Sequence, residues 1–463
     1  MGIRGIAFLI LLLLFLPLNG QKKSELKEIW AEAESHYLYG EYELANPLYL
    51  ILNELRPDNF NIKYKIGNCY LNIFDEKPKA IPFLEEAVRS TSYNSKTGKL
   101  KEMRAPLDAY FSLANAYRIT NRLDSAMNTY RFFSQLITEA SSMQNEEFIN
   151  QQMQACNVAS DQMKNPVRVI IQPLKEYINQ GSVNDRPVVS FDGSTMAYTE
   201  RRGLESVVYV TRREGTSWGT PDDITIEASM GTDCHTTSLN NDGTELYLFK
   251  NDNYDGNIYV TRYTDGKWSP VEKLNRNINT RFYESHAAIS SDGKKLYFTS
   301  NREGGLGELD LWVSEKDFTG DWGLPSNLGN VVNTPYNEET PFISGDGNTL
   351  TFSSEGHGSM GGYDIFIAKL SNNQWTTPVN IGYPVSTTDD NIAFQPFDNG
   401  RLGFYSIMTG YKKKEIALVD FNVPDEEERD TVTISFNPAD LPYLTVVDSS
   451  MLITDLIVRD VKD

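Results

Sequence analysis

The sequence predicts a multidomain chain, helical first and all-β afterwards: a stack of helix pairs, then a closed ring of small sheets. Two repeats and one run of apolar residues carry that prediction. Asp-Gly turns recur at Asp192, Asp242, Asp292 and Asp346, spaced by 50, 50 and 54 residues, with a looser copy at Asp398, Asn399 and Gly400. A tryptophan follows each of the first four, at Trp218, Trp268, Trp322 and Trp375. A shorter repeat of alanines, glycines and aromatics runs through residues 24–165, and an aliphatic stretch from Ile6 to Leu16 precedes it. Self-similarity at such periods marks units that cannot bury their own faces and must stack against copies of themselves.

Residues 1–20 read as a secretory signal: Arg4, then the aliphatic run, then Pro17 to Gly20, with cleavage expected after Gly20. The run is short for a membrane span, an uncleaved anchor helix being the alternative. No cysteine follows it, which argues against a lipoprotein. No later stretch is apolar enough to span a bilayer, so no transmembrane segment is expected after cleavage and the mature chain should be soluble.

Residues 21–165 are predicted helical. AESHYLYGEYELA (33–45) with Tyr49, Leu52 and Pro57 follows the spacing of a tetratricopeptide repeat. A second copy has Gly67, Tyr70, Ala80, Leu84 and Ala87; a third has Leu113, Ala114, Tyr117, Ala126, Tyr130 and Phe133. Small residues belong where the helices of a hairpin cross, and aromatics fill the gap to the next hairpin. Asn145 to Lys164 would cap the stack, and the polar stretch 90–99 is an insertion.

Residues 166–422 carry the long repeat. In the copy around Asp292, KLYFTS (295–300), Leu309–Ser314 and Trp322–Leu328 follow the first strand, and the Asp-Gly turn supplies the positive φ of a tight hairpin. Four antiparallel strands at this period make a β-propeller blade. An aliphatic residue at the end of each fourth strand is followed five positions later by Asn or Ser: Ile224 and Ser229, Leu274 and Asn279, Leu328 and Asn333, Ile381 and Ser386. One more pair, Leu174 and Asn179, lies ahead of the first blade. The last unit, Ile392–Phe421, lacks a fourth strand. Five blades are therefore favoured, with Val167–Leu174 closing the fifth and covering its open edge; six blades, using residues 431–458, is the alternative. Residues 423–463 form an acidic linker and a short β tail, or the start of a sandwich that is cut off.

A formal charge of −20 excludes nucleic acid as a partner, there being no basic cluster to neutralise phosphates. Cys69, Cys156 and Cys234 cannot all pair and lack metal-ligand spacing. Buried free thiols are expected, a Cys69–Cys156 bridge being the alternative in an exported chain.

Catalytic motifs are few. HGSMG (357–361) is one residue short of a nucleophile elbow and falls in a hairpin loop rather than a strand-to-helix turn. NDNYDGN (251–257) resembles a calcium loop, yet its twelfth position is Arg262 instead of glutamate. Acidic residues gather just before each first strand: Asp185, Asp233, Glu284, Glu338 with Glu339, and Asp389 with Asp390. His235 and His286 fall in the same register. Innermost strands start at one mouth of a propeller, so these nine residues are expected to ring it, facing a cation, a basic loop or a peptide amine. The alternative is that they hydrogen-bond the inter-blade loops. No cofactor and no catalytic set is expected.

SSDGKKLYFTSNREGG (290–305), its copies, and APLDAYFSLANAY (105–117) resemble exported proteins of Bacteroidetes that join tetratricopeptide repeats to a TolB-like propeller, of which a PorE-like component of the type IX secretion system is the best-known kind. The resemblance covers residues 21–422. It implies a non-catalytic periplasmic scaffold associated with an outer-membrane complex for protein secretion or gliding motility, its partners being other envelope or secretion-system proteins. In that family a regulatory-like sandwich and an OmpA-type peptidoglycan-binding domain follow; the chain ends at Asp463, which puts peptidoglycan association in question. Two other roles fit the same residues. One is a substrate-binding or hydrolytic propeller for peptide or glycan processing, using His235, His286, Glu284 and Glu338. The other is a TolB-like transport component.

Overall fold

The computed structural model describes residues 19–137, 143–175, 177–203, 205–252, 255–410 and 412–423. The apolar leader and the β tail expected from the sequence lie outside them, apart from the last residues of the leader.

Seven helices open the described chain: α1 (Asn19–Leu38), α2 (Tyr42–Leu55), α3 (Phe60–Asn72), α4 (Ala80–Ala87), α5 (Asp108–Ile119), α6 (Leu123–Leu136) and α7 (Met143–Lys164). Successive helices pack on one another. Ala33, Ala45, Ala80, Ala114 and Ala126 are wholly buried, as close crossings require, with Tyr49 and Tyr130 filling the space beside them. Gly67 is needed for the α3–α4 approach, because a Cβ there would lie 2.4 Å from Leu84 Cγ. Asn59 caps α3 by accepting from Ile62 N at 3.0 Å. The polar insertion is tied to α3, where Asn61 Nδ2 donates to Thr97 O at 2.9 Å. Cys69 and Cys156 are buried free thiols, as is Cys234, so no bridge joins the first two.

Five antiparallel sheets form a five-bladed β-propeller, two of them four-stranded and three with the outer strand split into two short pieces. Their inner strands are Asn184–Val189, Cys234–Leu239, Glu284–Ile289, Glu338–Ile343 and Gln395–Phe397. The turns at Asp192, Asp292 and Asp346 are built alike, while at Asp242 Thr244 Oγ1 takes the place of the serine donor. Asp292 Oδ1 accepts from Ser290 Oγ at 2.6 Å and Lys294 N at 3.1 Å, and Gly293 takes φ +69°. Second strands are buried on both faces, since each blade packs against two neighbours: in Lys295–Ser300 only Lys295 is exposed. Tyr247, Ile258 and Val260 of blade 2 thus share one apolar cluster with Leu296, Phe298 and Trp312 of blade 3.

The ring closes as the register argument expects. Ile170–Pro173 pairs antiparallel with Lys413–Asp420 and supplies the fourth strand of blade 5. The recurring Asn or Ser has a physical role there. Leu174 N donates to Ile416 O at 2.8 Å, and Asn179 then accepts from Ile416 N at 2.7 Å and donates back to Ile416 O at 2.9 Å. Asn279 treats Ile258 the same way, at 2.7 and 2.9 Å, and Asn333 treats Leu311 so, at 2.8 and 3.0 Å. The amide imitates a peptide group where the fourth strand has already turned away. Ser386 keeps only the acceptor half, at 3.1 Å from Ile365 N. Blade 1 departs from the expected pattern: Thr225 Oγ1 rather than Ser229 takes Val208 N, at 2.9 Å.

Candidate binding site at the propeller mouth

Seven of the nine sequence-derived candidates lie at or just before the start of an inner strand, but they do not share one environment. Glu284 and Glu338 begin their strands fully buried in the wall. Glu284 accepts from Thr280 N at 2.8 Å, Thr280 Oγ1 at 2.7 Å and Ser300 Oγ at 3.0 Å. Glu338 repeats this on Thr334 N, Thr334 Oγ1 and Ser354 Oγ at 2.8, 2.7 and 2.7 Å. Both brace the loop that carries the chain between blades. Arg302 also donates to Glu284, at 3.2 Å, whereas the matching position of blade 4 is Gly356. Glu338 therefore lies buried with no paired cation among the described residues, and burial pushes its carboxyl up to about 8 against the hydrogen bonds that favour the anion.

Asp185, Asp233, His235, His286 and Glu339 surround a residue that sequence reasoning missed, Arg186. Burial works to raise Asp185, but Lys414, 2.9 Å away, and Arg186 more than offset it and leave the carboxyl at about 2. Glu339 is pushed up to about 7 by burial, with Arg186 opposing and Glu355 and Asp390 adding to the rise. His235 Nε2 lies 2.9 Å from Asp233 Oδ1. The two histidines flank Phe249, ring centroids at 6.1 and 5.7 Å and planes within 14° and 19°. Burial, reinforced by Arg186 and His235, holds His286 neutral. Its Nε2 has no partner among the described residues.

Arg186, His286, Thr340 and Ala393 take φ of +51°, +43°, +48° and +58°, and in the first four blades the register slips at or beside this level. These residues line a cavity of about 30 Å³, room for a water and no more than a small ion.

Asp389 and Asp390 face the helices instead of the mouth. Lys77 pairs with Asp389 and lies 3.8 Å from Asp390. Arg118 donates to Thr388 O, Thr388 Oγ1 to Asn121 Oδ1 at 2.8 Å, and Gln151 Nε2 to Glu355 O at 2.7 Å. The helical region is thus seated on the loops of blades 4 and 5. His357 and Ser359 of the HGSMG string are unconnected: His357 Nε2 meets Val332 O at 2.8 Å and Ser359 Oγ donates to Glu355 O at 3.2 Å. Asn251–Asp252 and Asp255–Asn257 are hairpin strand residues.

The raised carboxyls make a pH prediction. Glu338, Glu339 and Asp364, the last at about 7 through burial, bind their protons more tightly folded than unfolded. The stability they contribute is present below about pH 4, and is lost as pH rises through about 7 to 8. His235 and His286 shift the other way, so the cost of keeping them neutral is relieved as pH rises through the ordinary histidine value and is gone by about pH 7.5. The melting temperature should therefore fall between about pH 7.5 and 8.5, where only the carboxyls still titrate, and Glu338→Gln should flatten the slope; a Glu338→Gln profile parallel to the parent's would show that this carboxyl is ionised throughout.

No protein-family model matches the chain, and no curated protein matches it. Among solved structures it is similar to TolB from Acinetobacter baumannii, at 14% identity and a TM-score of 0.35, covering 59% of this chain and 70% of that one. It is likewise similar to an endo-arabinase from Bacteroides thetaiotaomicron, at 14% identity and a TM-score of 0.35, covering 54% and 98%. Likeness at this level names neither an activity nor a partner. No described helix is long and apolar enough to cross a membrane.

Proposed function

We propose that the chain is a non-catalytic periplasmic scaffold, a protein-interaction subunit of an outer-membrane-associated complex of the type IX secretion or gliding kind. The observation that carries the binding role is the use made of the acidic residues. Glu284 and Glu338 are spent on loop bracing inside the wall, and Asp389 holds Lys77 of the helical region. A hydrolytic reading needs Glu284 and Glu338 beside His235 and His286 in contact with substrate, and both carboxylates are fully buried. Read as tetratricopeptide repeats, α1–α6 with α7 as cap offer one recognition surface, and the blade loops offer another. The secretion assignment rests on the sequence resemblance alone.

The test is crosslinking and affinity purification of tagged protein from its own cell envelope, with mass spectrometry. Secretion or gliding subunits, recovered in fixed proportion and lost when the helices are deleted, are the expected result. Recovery of none, together with turnover of peptides or glycans that His235→Ala abolishes, would overturn the reading.

A further inference from the structure

A cavity of about 380 Å³ lies between the helices and the ring. That is within the size range of ligand pockets. Its two walls differ in chemistry. The helical wall comes from α1, α2, α3, α5 and α7 and presents Tyr37, Tyr42, Phe111 and Phe148 beside Asn68, Ser112 and Gln152. The opposite wall is Glu355, Asp389 and Asp390 over the backbone of Gly361 and Gly362.

Several groups in this cavity are left with work to do. Ser112 and Gln152 are each only 8% exposed, yet Ser112 Oγ and the side-chain oxygen of Gln152 have no partner among the described residues. Both oxygens open into the cavity and are free to take a partner there. The Tyr130 hydroxyl occupies Asn115 Oδ1, which leaves the amide donors of Asn115 spare among the described residues. Phe148 is 45% exposed while its ring lies 5.5 Å from that of Phe111, an apolar step at the cavity edge. Charge is unbalanced: Lys77 is taken by Asp389 and Arg118 by Thr388 O, but Glu355 meets only the Asn337 amide, at 2.8 Å, and no cation among the described residues. Asp390 accepts from Tyr363 N at 3.2 Å and has Lys77 no nearer than 3.8 Å.

We propose that this cavity binds an extended polypeptide segment, with a lysine or arginine side chain against Glu355 and Asp390, backbone amides on Ser112, Asn115 and Gln152, and an apolar side chain on Phe111 and Phe148. Spare donors and acceptors on one wall match alternating C=O and N–H groups, and the surplus carboxylates on the other match a cation. A neutral glycan would use the aromatic and amide wall and leave the carboxylates unpaired, which is costly in a part-buried site. The inference rests on the scaffold reading and specifies what it recognises.

The probe is a capped pentapeptide alternating alanine with lysine and ending in benzoylphenylalanine, offered to the full chain. Saturable binding is expected, with photocrosslinks on α5 or α7. Affinity should drop tenfold or more with Glu355→Gln, with Phe148→Ala, or with norleucine in place of lysine; a circular-dichroism melt of each variant separates this from misfolding. Equal affinity for the norleucine peptide, crosslinks elsewhere, displacement by chitotriose, or no saturation at millimolar peptide would each overturn the proposal. Envelope partners retained by the doubly substituted Glu355→Gln, Phe148→Ala protein would sink the cavity while leaving the scaffold standing. Peptide binding without any envelope partner would do the reverse.

Discussion

Asn333→Ala is expected to cost about 3 kcal/mol of stability, far more than an ordinary loop substitution. The side chain is 1% exposed and serves Leu311, itself wholly buried, as a surrogate strand: Leu311 N donates to Oδ1 and Nδ2 donates to Leu311 O. The two losses are unequal. Leu311 O keeps Leu328 N at 3.1 Å, but Leu311 N is left with nothing inside a buried apolar interface between blades. An orphaned buried donor costs about 1–3 kcal/mol, and the space left by the amide adds to it. Asn333→Ser should recover most of the loss, because Ser386 does the acceptor half of the same task in blade 4. Asn333→Asp should not, since it keeps the acceptor but sets a carboxylate against Asn327 Oδ1, to which Nδ2 now donates at 2.9 Å. Chemical denaturation of the three variants checks the order. If alanine and serine are equally mild, water is reaching Leu311 N and the surrogate-strand account fails.

That asparagine shows what a sequence can and cannot yield. Its five-residue offset from an aliphatic position was legible because it repeats, and repetition fixed the register, the number of blades and the closing role of Ile170–Pro173. The reason for the offset was not legible, because Ile416, Ile258 and Leu311 lie on third strands distant in sequence from Leu174, Leu274 and Leu328 only in blade 5 and close by in the others. The mouth was harder. Gathering carboxylates and histidines just before each first strand grouped Asp185, Asp233, His235, His286 and Glu339, yet passed over Arg186, two 50-residue periods before His286 and in the same slot. Comparing all residue types in that slot would have found it. Nothing local could have shown that Asp389 and Asp390 turn to the helices, because Lys77 and Arg118 meet that loop from about 270 to 312 residues away.

The contact of Arg118 with that loop sets the second large effect, expected for Gly361→Ala. Gly361 has φ +120°, a conformation an L-residue reaches only with strain, and an added Cβ would lie 1.9 Å from Arg118 Nη1 and 2.4 Å from Cζ. Neither neighbour can yield cheaply. Arg118 is 6% exposed, donates to Thr388 O, and its Nε already lacks a partner among the described residues. Asp364 Oδ1 is unsatisfied too, and Arg118 lowers the Asp364 carboxyl against its burial, so the two groups already feel each other electrostatically. Displacing the guanidinium removes the anchor between α5 and the loops of blades 4 and 5, while the five inter-blade clusters of the ring are untouched. The consequence is separation rather than global unfolding: one calorimetric transition should become two, and cleavage within 165–169, where the chain passes from α7 to the closing strand, should rise at least tenfold. Arg118→Ala should do the same at lower cost, since it leaves an unpaired Thr388 O but forces no backbone strain; Arg118→Lys should fall between, keeping the charge without the planar fork. Gly361→Ala melting in one unshifted transition with parental resistance to proteolysis would show that the remaining links, among them Lys77, Gln151 and Asn121, hold the helices without Arg118.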